Sequence, residues 1–227
     1  MRNYYIGIDT ETTNSYTLED GKLELKDSLC YDVGWMVLDK KGKAYKKRSF
    51  VVAEIFLDKE LMKSAYYAEK IPAYWEEIKS GKRKLTTFRN INWIFKQDCK
   101  NYNVKAIFAH NAFFDYNALN NTLRFLTGSK YRYFYPYKIE LWDTLKMARD
   151  AIGKTEKYTA FCKKHGYLTK HKVPQNRLTA EILWRYISKD PDFIESHTGL
   201  EDVEIEKEIF KTCIRKHNVR RLLFEKQ

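Results

Sequence analysis

Apolar positions along the chain alternate between two kinds of pattern. Residues 4–8, Tyr-Tyr-Ile-Gly-Ile, form an unbroken apolar run without polar alternation, which predicts a strand covered on both faces. Residues 30–39 (CYDVGWMVLD) and 44–52 (AYKKRSFVV) read as two further strands joined by the glycine-containing turn KKGK, a hairpin. Residues 58–80 follow a helical period, with Leu57, Leu61, Met62 and Ala65 on one face. A break is expected at Pro72, followed by a second short helix through Tyr74, Trp75 and Ile78 that Gly81 ends. A helix over NINWIFKQDCKNY leads to the compact apolar strand VKAIFAH (104–110), then to a helix over AFFDYNALNNTLRFLTG that Gly128 stops. YKIELWD (137–143) predicts another strand and TLKMARDAI a helix behind it. The rest reads as largely helical, with a loop at 168–176 and a last helix from about Gly199. A hairpin followed by strands alternating with helices predicts an α/β fold, a mixed sheet covered by helices. No repeat or low-complexity linker divides the chain, so one domain is expected over 1–227, with a helical insertion at about 54–84.

Charge changes this picture from a generic α/β domain to one with a polyanionic partner. The 227 residues carry 42 Lys and Arg against 30 Asp and Glu, a net charge of +12 spread along the chain. Basic clusters at Lys46-Lys47-Arg48, Lys82-Arg83-Lys84 and Arg220-Arg221 are interleaved with Tyr and Phe, a combination suited to phosphate contacts and base stacking. The N-terminus lacks the apolar core of a signal peptide and no apolar run approaches the length of a membrane span, so a cytoplasmic protein without a membrane partner is expected. Cys30, Cys99, Cys162 and Cys213 are far apart and form no C-x-x-C, which indicates neither a zinc site nor a disulfide framework.

Candidate chemistry begins where the first strand ends. In YYIGIDTETT, Asp9 and Glu11 are two residues apart and project from one face of the strand. Like charges held so close repel unless a cation or a proton lies between them. The D-x-E spacing also occurs at Asp58 and Glu60 and at Asp202 and Glu204, so what distinguishes the first copy is its position at the C-terminal end of a buried strand. A second segment, FAHNAFFDYNAL, places Asn111 to cap a helix whose first turn carries Asp115, where the helix dipole also favours an acid. A third, ESHTGLEDVEIEKEIFKTC, matches a capping box through Thr198 and Glu201. That accounts for Glu201 and leaves Asp202, one turn in, able to share a cleft with His197.

The order of these three motifs resembles the DEDDh family of 3′-to-5′ exonucleases, which includes proofreading subunits and ribonuclease T. The likeness runs from Ile6 to Ile209 and extends to LWDTLKMAR (141–149), a segment common in that family. The insertion at 54–84 and the extra residues around 168–196 depart from its compact members. The resemblance implies a ribonuclease H-like fold and two Mg²⁺ or Mn²⁺ ions about 4 Å apart, as hard oxygen donors favour. By that analogy Asp9 bridges both ions, Glu11 and Asp202 complete one, Asp115 holds the other mainly through water, and His197 takes a proton from the attacking water. His110 also fits H-x-x-x-x-D with Asp115. As the last residue of a strand it reads as packed or bonded to backbone, whereas His197 sits on a loop open to solvent. His165, His171 and His217 read as surface residues. Thr10, Thr12, Asn111 and Phe114 are placed to meet a terminal nucleotide, although aromatics beside a buried strand, Phe113 and Phe114 included, are more often core.

The activity this implies is release of nucleoside 5′-monophosphates from single-stranded or frayed DNA ends. An exoribonuclease of the same chemistry, a non-catalytic nucleic-acid-binding module and a polymerase-docking subunit are the alternatives; retention of all four carboxylates and the histidine weighs against the module. Two segments are further candidates for contacting substrate: the run KYRYFYPYK (130–138), whose Tyr133, Tyr135 and Tyr137 equally fit one half-buried strand face, and Tyr66, Tyr67, Lys70, Tyr74 and the Lys82 cluster of the insertion, which could instead dock a polymerase. Richness in Lys, Asn and Tyr suits an AT-rich genome, bacterial or phage.

Overall fold

The structure, a computed structural model, describes residues 3–14, 16–17, 23–65, 67–216 and 218–224; Tyr66 and His217 lie outside the described residues. The chain runs β1 (Tyr4–Thr13), β2 (Tyr16–Thr17), β3 (Leu23–Glu24), β4 (Leu29–Asp39), β5 (Ala44–Val52), α1 (Ala53–Phe56), α2 (Lys59–Met62), a 3₁₀ turn (Ala68–Lys70) and α3 (Ile71–Lys79). It continues through β6 (Lys84–Thr86), α4 (Phe88–Asn101), β7 (Val104–Ala109), α5 (Phe113–Thr127), β8 (Glu140–Asp143), α6 (Thr144–Ala148), a π turn (Arg149–Gly153), α7 (Glu156–His165), α8 (Ala180–Ser188) and α9 (Gly199–Cys213).

The main sheet has the order β6-β5-β4-β1-β7-β8. β4 is antiparallel to both β1 and β5, while β7 runs parallel to β1 and β8, and β6 parallel to β5. The mixed sheet and its hairpin are therefore as expected. At the hairpin turn the Asp39 carboxylate accepts the N–H groups of Lys41 and Lys43, and Gly42 takes φ +83°, where a glycine avoids Cβ strain.

Alternate residues of β1 feed two cores. Ile6 and Ile8 pack with Phe95 and Leu119 of α4 and α5, whereas Tyr5 joins Phe210 and Leu183 of α9 and α8 on the opposite face. Burial on both faces explains why the strand shows no polar alternation. All four cysteines are buried free thiols. Among the described residues, no helix is long and apolar enough to cross a membrane.

Two expectations need correction. The helix over 58–80 is broken into short pieces, because Asp58 caps α2 by accepting the N–H groups of Glu60 and Leu61 and thus starts a new helix there. Leu57 consequently faces solvent while Met62 and Ala65 reach the core. Pro72 lies in the first turn of α3, where its missing N–H has no intrahelical partner to lose. The strand over 137–143 shrinks to Glu140–Asp143, since Ile139 N–H turns back to the Pro136 carbonyl. The tyrosine alternation before it is a loop: Tyr135 is buried, and Tyr133 and Tyr137 are exposed.

Candidate active site

β1 points Asp9 and Glu11 toward α9 and Thr10 toward α5. What brings α9 close is a pair of glycines. A Cβ on Gly34 of β4 would lie 2.1 Å from the Leu200 nitrogen, and one on Gly199 would lie 2.7 Å from the Gly34 nitrogen and 3.2 Å from the Asp9 carbonyl oxygen. The N-terminus of α9 thus sits directly on the strands, and its first turn carries Asp202 to the end of β1. Oxygens of Asp9, Glu11 and Asp202 all lie within 4.8 Å of one another.

Local bonding around Asp202 differs from the expected capping box. Thr198 is the N-cap, but it is Asp202 that accepts the Thr198 N–H (3.0 Å), so the residue left unexplained by capping is the one that caps. Glu201 instead receives the Thr198 hydroxyl (2.9 Å) and is drawn outward by Lys82 and Arg83. Asp115, 1% exposed, lies outside the carboxylate triplet and accepts the Thr10 hydroxyl at 2.9 Å. Asn111 does not cap α5. It takes φ +64°, a conformation asparagine tolerates, and its N–H bonds to Asp143, whose carboxylate also caps α6 through Leu145 N–H.

These carboxyls share one electrostatic problem. Burial pushes Asp9 well above the usual carboxylate range, and Asp115, Glu206, Asp202 and Glu11 push it further the same way. Burial, then Asp202, does the same to Glu11. Burial raises Asp115 to about 7, and burial with Glu195 raises Asp202 to about 8. Glu206, one turn beyond Asp202 and 2% exposed, uses one oxygen to accept His110 N–H at 2.8 Å and leaves the other buried without a hydrogen-bond partner. Clustered hard oxygens with an orphaned buried carboxylate oxygen beside them fit a divalent cation.

The triplet opens into a cleft of about 600 Å³ lined also by Thr12, Asn111, Phe114 and His197. Phe114 is half-buried and Phe113 exposed, so neither belongs to the core, because α5 begins at the rim of the cleft rather than under the sheet. His197 is half-buried on the loop before α9, its pKa lowered by burial and by Lys70, and its Nδ1 lies 3.8 Å from Glu195. His110 has both ring nitrogens engaged, Nε2 with the Leu178 carbonyl (2.7 Å) and Nδ1 with the Thr144 hydroxyl (3.1 Å). Of the other histidines, His171 is exposed and His165 is half-buried between Phe161 and Tyr167.

Sequence reasoning passed over four residues that line this cleft: Glu206, Glu195, Arg149 and Arg177. Glu206 had a readable signal, the i, i+4 spacing from Asp202 on one helix face. The arginines had none, since the loop before α8 and the π turn bring them in from distant segments. In the Lys82-Arg83-Lys84 cluster, by contrast, the two lysines are exposed but the arginine is not. Arg83 is 1% exposed and bound to Asp32, Glu77 and Glu201, and Lys82 pairs with Glu77 and Glu201. Arg220 is similarly spent on Asp150.

No family model matches the chain, and no curated protein matches it. Solved structures do. The nuclease domain of 3′hExo, a DEDDh family member bound to rAMP, superposes with a TM-score of 0.59 at 12% identity, covering 100% of this chain and 98% of that one. E. coli exonuclease I in complex with a 5cy-dT13 oligonucleotide gives 0.51 at 12% identity, over 93% of this chain and 41% of its own. The chain therefore has the ribonuclease H-like α/β fold of the DEDDh exonuclease domains.

Proposed function

We propose that all 227 residues form one divalent-cation-dependent 3′-to-5′ exonuclease domain, which shortens single-stranded or frayed DNA ends and releases nucleoside 5′-monophosphates. The observation that carries this reading is the triplet Asp9, Glu11 and Asp202, gathered within 4.8 Å at the end of the central strand. Mg²⁺ or Mn²⁺ would be held by these three, with Asp115 behind Thr10 as the further acidic partner. Such ions, when bound, supply positive charge to the phosphodiester oxygens as charge builds there. Without them the same carboxylates would repel a phosphate, which supports cation dependence.

The remaining groups are organised for a proton and a strand end. His197 is neutral near pH 7, since burial and Lys70 lower its pKa, so it accepts a proton from water at the cleft edge. Arg149 and Arg177 offer the guanidinium forks that phosphate geometry favours. Thr12, Asn111 and the exposed edge of Phe114 line the space for the terminal nucleoside. An exoribonuclease of the same chemistry is the alternative reading, supported by the rAMP in the 3′hExo nuclease domain. The test is 5′-labelled DNA and RNA of matched sequence, incubated with protein in Mg²⁺ and in Mn²⁺. A ladder shortening from the 3′ end, absent in EDTA and in Asp9→Ala, is expected, and the better substrate sets the sugar preference. Intact DNA and RNA that shift on a gel would replace this reading with a binding module.

A further inference from the structure

The loop that carries His197 is held both by the start of α9, through Ser196 and Thr198 bonds to Asp202, and by the insertion. His197 has φ +50°, a left-handed conformation uncommon for non-glycine residues though more accessible to His than to most, and its surroundings hold it there. Part of those surroundings comes from the insertion. The ring of Tyr67 stacks on the imidazole with centroids 4.6 Å apart and planes 10° from parallel. Lys70, whose ammonium lies 4.2 Å from the Tyr67 ring centroid, donates to the carbonyls of Ser196 and His197, the latter at 3.2 Å. Beyond the histidine, Gly199 N–H is fixed by Asp32 at 3.0 Å, and Glu201 by Arg83 at 2.8 Å. Asp32 also binds Arg83 through two oxygens and accepts the Tyr74 hydroxyl (2.7 Å), so one buried carboxylate ties the insertion and the start of α9 together.

We infer that the segment 67–83 is a positioning arm for His197: Tyr67 holds the imidazole by its face, Lys70 holds the backbone carbonyls of Ser196 and His197, and Arg83 acts from the other side through the side chains of Asp32 and Glu201. This rests on the exonuclease reading, in which His197 accepts the proton. The physical reason for such an arm is that a stacked face leaves the ring edge, where both nitrogens lie, as the part presented to the cleft. A loop imidazole free to rotate would spend most of its time misaligned, and misplacement by about 1 Å costs on the order of a hundredfold in rate. Stacking on Tyr67 converts that freedom into one orientation without consuming a ring nitrogen. Tyr67 and Lys70 are therefore positioning residues, acting through His197.

The test uses full-length protein with Tyr67→Ala, Tyr67→Phe and Lys70→Met, each also combined with His197→Ala. Tyr67 is half-buried at the cleft rim, and circular dichroism checks that each variant keeps its fold. Tyr67→Ala is expected to lower kcat by about ten- to a hundredfold while KM and the affinity for Mn²⁺ alone, measured calorimetrically, stay as in wild type. Tyr67→Phe restores the rate, because the ring is what stacks. In a His197→Ala background Tyr67→Ala loses nothing further, as residues acting through one group are non-additive. Hydrogen exchange of amides 196–199 accelerates in Tyr67→Ala and in Lys70→Met. A raised KM with unchanged kcat would make Tyr67 a substrate contact and overturn the inference. So would full additivity with His197→Ala. If wild type proves to have no nuclease activity, the exonuclease reading falls by itself. Unchanged exchange at 196–199 in Tyr67→Ala would separately end the positioning role.

Discussion

Glu11 and Asp32 stand opposite each other on β1 and β4, two buried carboxylates directly paired across one antiparallel ladder, yet they live in different chemistries. Asp32 is compensated. Burial raises its carboxyl, while Arg83, the Tyr74 hydroxyl and Gly199 N–H pull it back toward the ionised form. Glu11 faces Asp202 and, along its own strand, Asp9, and at Asp9 burial and each neighbouring acid act in the same upward direction. The Asp32 region is built to hold the structure; the Glu11 region is built at the expense of stability, as sites that await a cation are. One strand spacing separates the two roles, and what divides them is how closely the insertion approaches: it sets Arg83 directly on Asp32, whereas Glu11 receives only the charge of Lys70, which burial and Asp202 outweigh.

Truncating one carboxylate on each side separates the two regions most directly. Asp9→Ala is expected to abolish turnover, while the melting temperature in EDTA stays or rises by a few degrees, because a repelling, half-buried carboxylate is gone. Asp32→Ala is expected to do the reverse to stability. It leaves Arg83 buried without its main partner, a loss of about 3–5 kcal/mol, read as a melting temperature lower by on the order of 10 °C. If Asp9→Ala unfolds the protein as readily as Asp32→Ala, both carboxylates are structural and the contrast is void.

What the chain reveals in sequence follows the same division. The sheet and its flanking helices were legible because burial on both faces of β1, and the turn chemistry of the hairpin, are local properties of the residues concerned. Asp9, Glu11, Asp115, Asp202 and His197 could be singled out because each sits at the end of a strand or the start of a helix, positions marked by local pattern. Arg83 was misread because a lysine and arginine cluster looks the same whether solvated or clasped; only the fold brings Asp32 to it from 51 residues away. The true cap of α9 was hidden for a similar reason. Thr198 and Glu201 satisfy the spacing, but the cations of the insertion compete for Glu201 and leave the backbone N–H to Asp202. Tyr67 was visible only as an aromatic in the insertion, since stacking on His197 spans 130 residues of chain.

The pH dependence of stability separates the two regions by a smaller effect. Asp202 at about 8, Asp115 at about 7 and Glu195 at about 7 all lie above the value of about 4 that a carboxyl has in the unfolded chain. Between those limits the folded protein binds more protons than the unfolded one, so stability falls as pH rises. Glu201 acts in the opposite sense: against burial, Lys82 and Arg83 hold it down to about 2, so its contribution is present above about pH 4 and is lost as pH falls through about 2. In EDTA the melting temperature should therefore decline by several degrees from pH 5 to pH 8, and saturating Mg²⁺ should flatten that slope. A melting temperature that instead rises over this range would show that the cleft carboxyls are already compensated as Asp32 is.

Glu206 offers the finest discrimination, because it combines features of both regions. Like Asp32 it accepts a backbone N–H, that of His110, and like Asp9 it is pushed well above the carboxylate range by burial and by Asp115. Glu206→Gln keeps an acceptor for His110 N–H and removes the charge. If the charge belongs to the uncompensated side, the variant should be more stable than wild type in EDTA, and this gain should shrink when Mg²⁺ is added, since a bound cation already offsets the repulsion that the substitution relieves. Denaturant titrations in EDTA and in Mg²⁺ measure both quantities. A loss of stability under both conditions would place Glu206 with Asp32, as a structural anchor for the end of β7, and would confine the repelling cluster to Asp9, Glu11, Asp115 and Asp202.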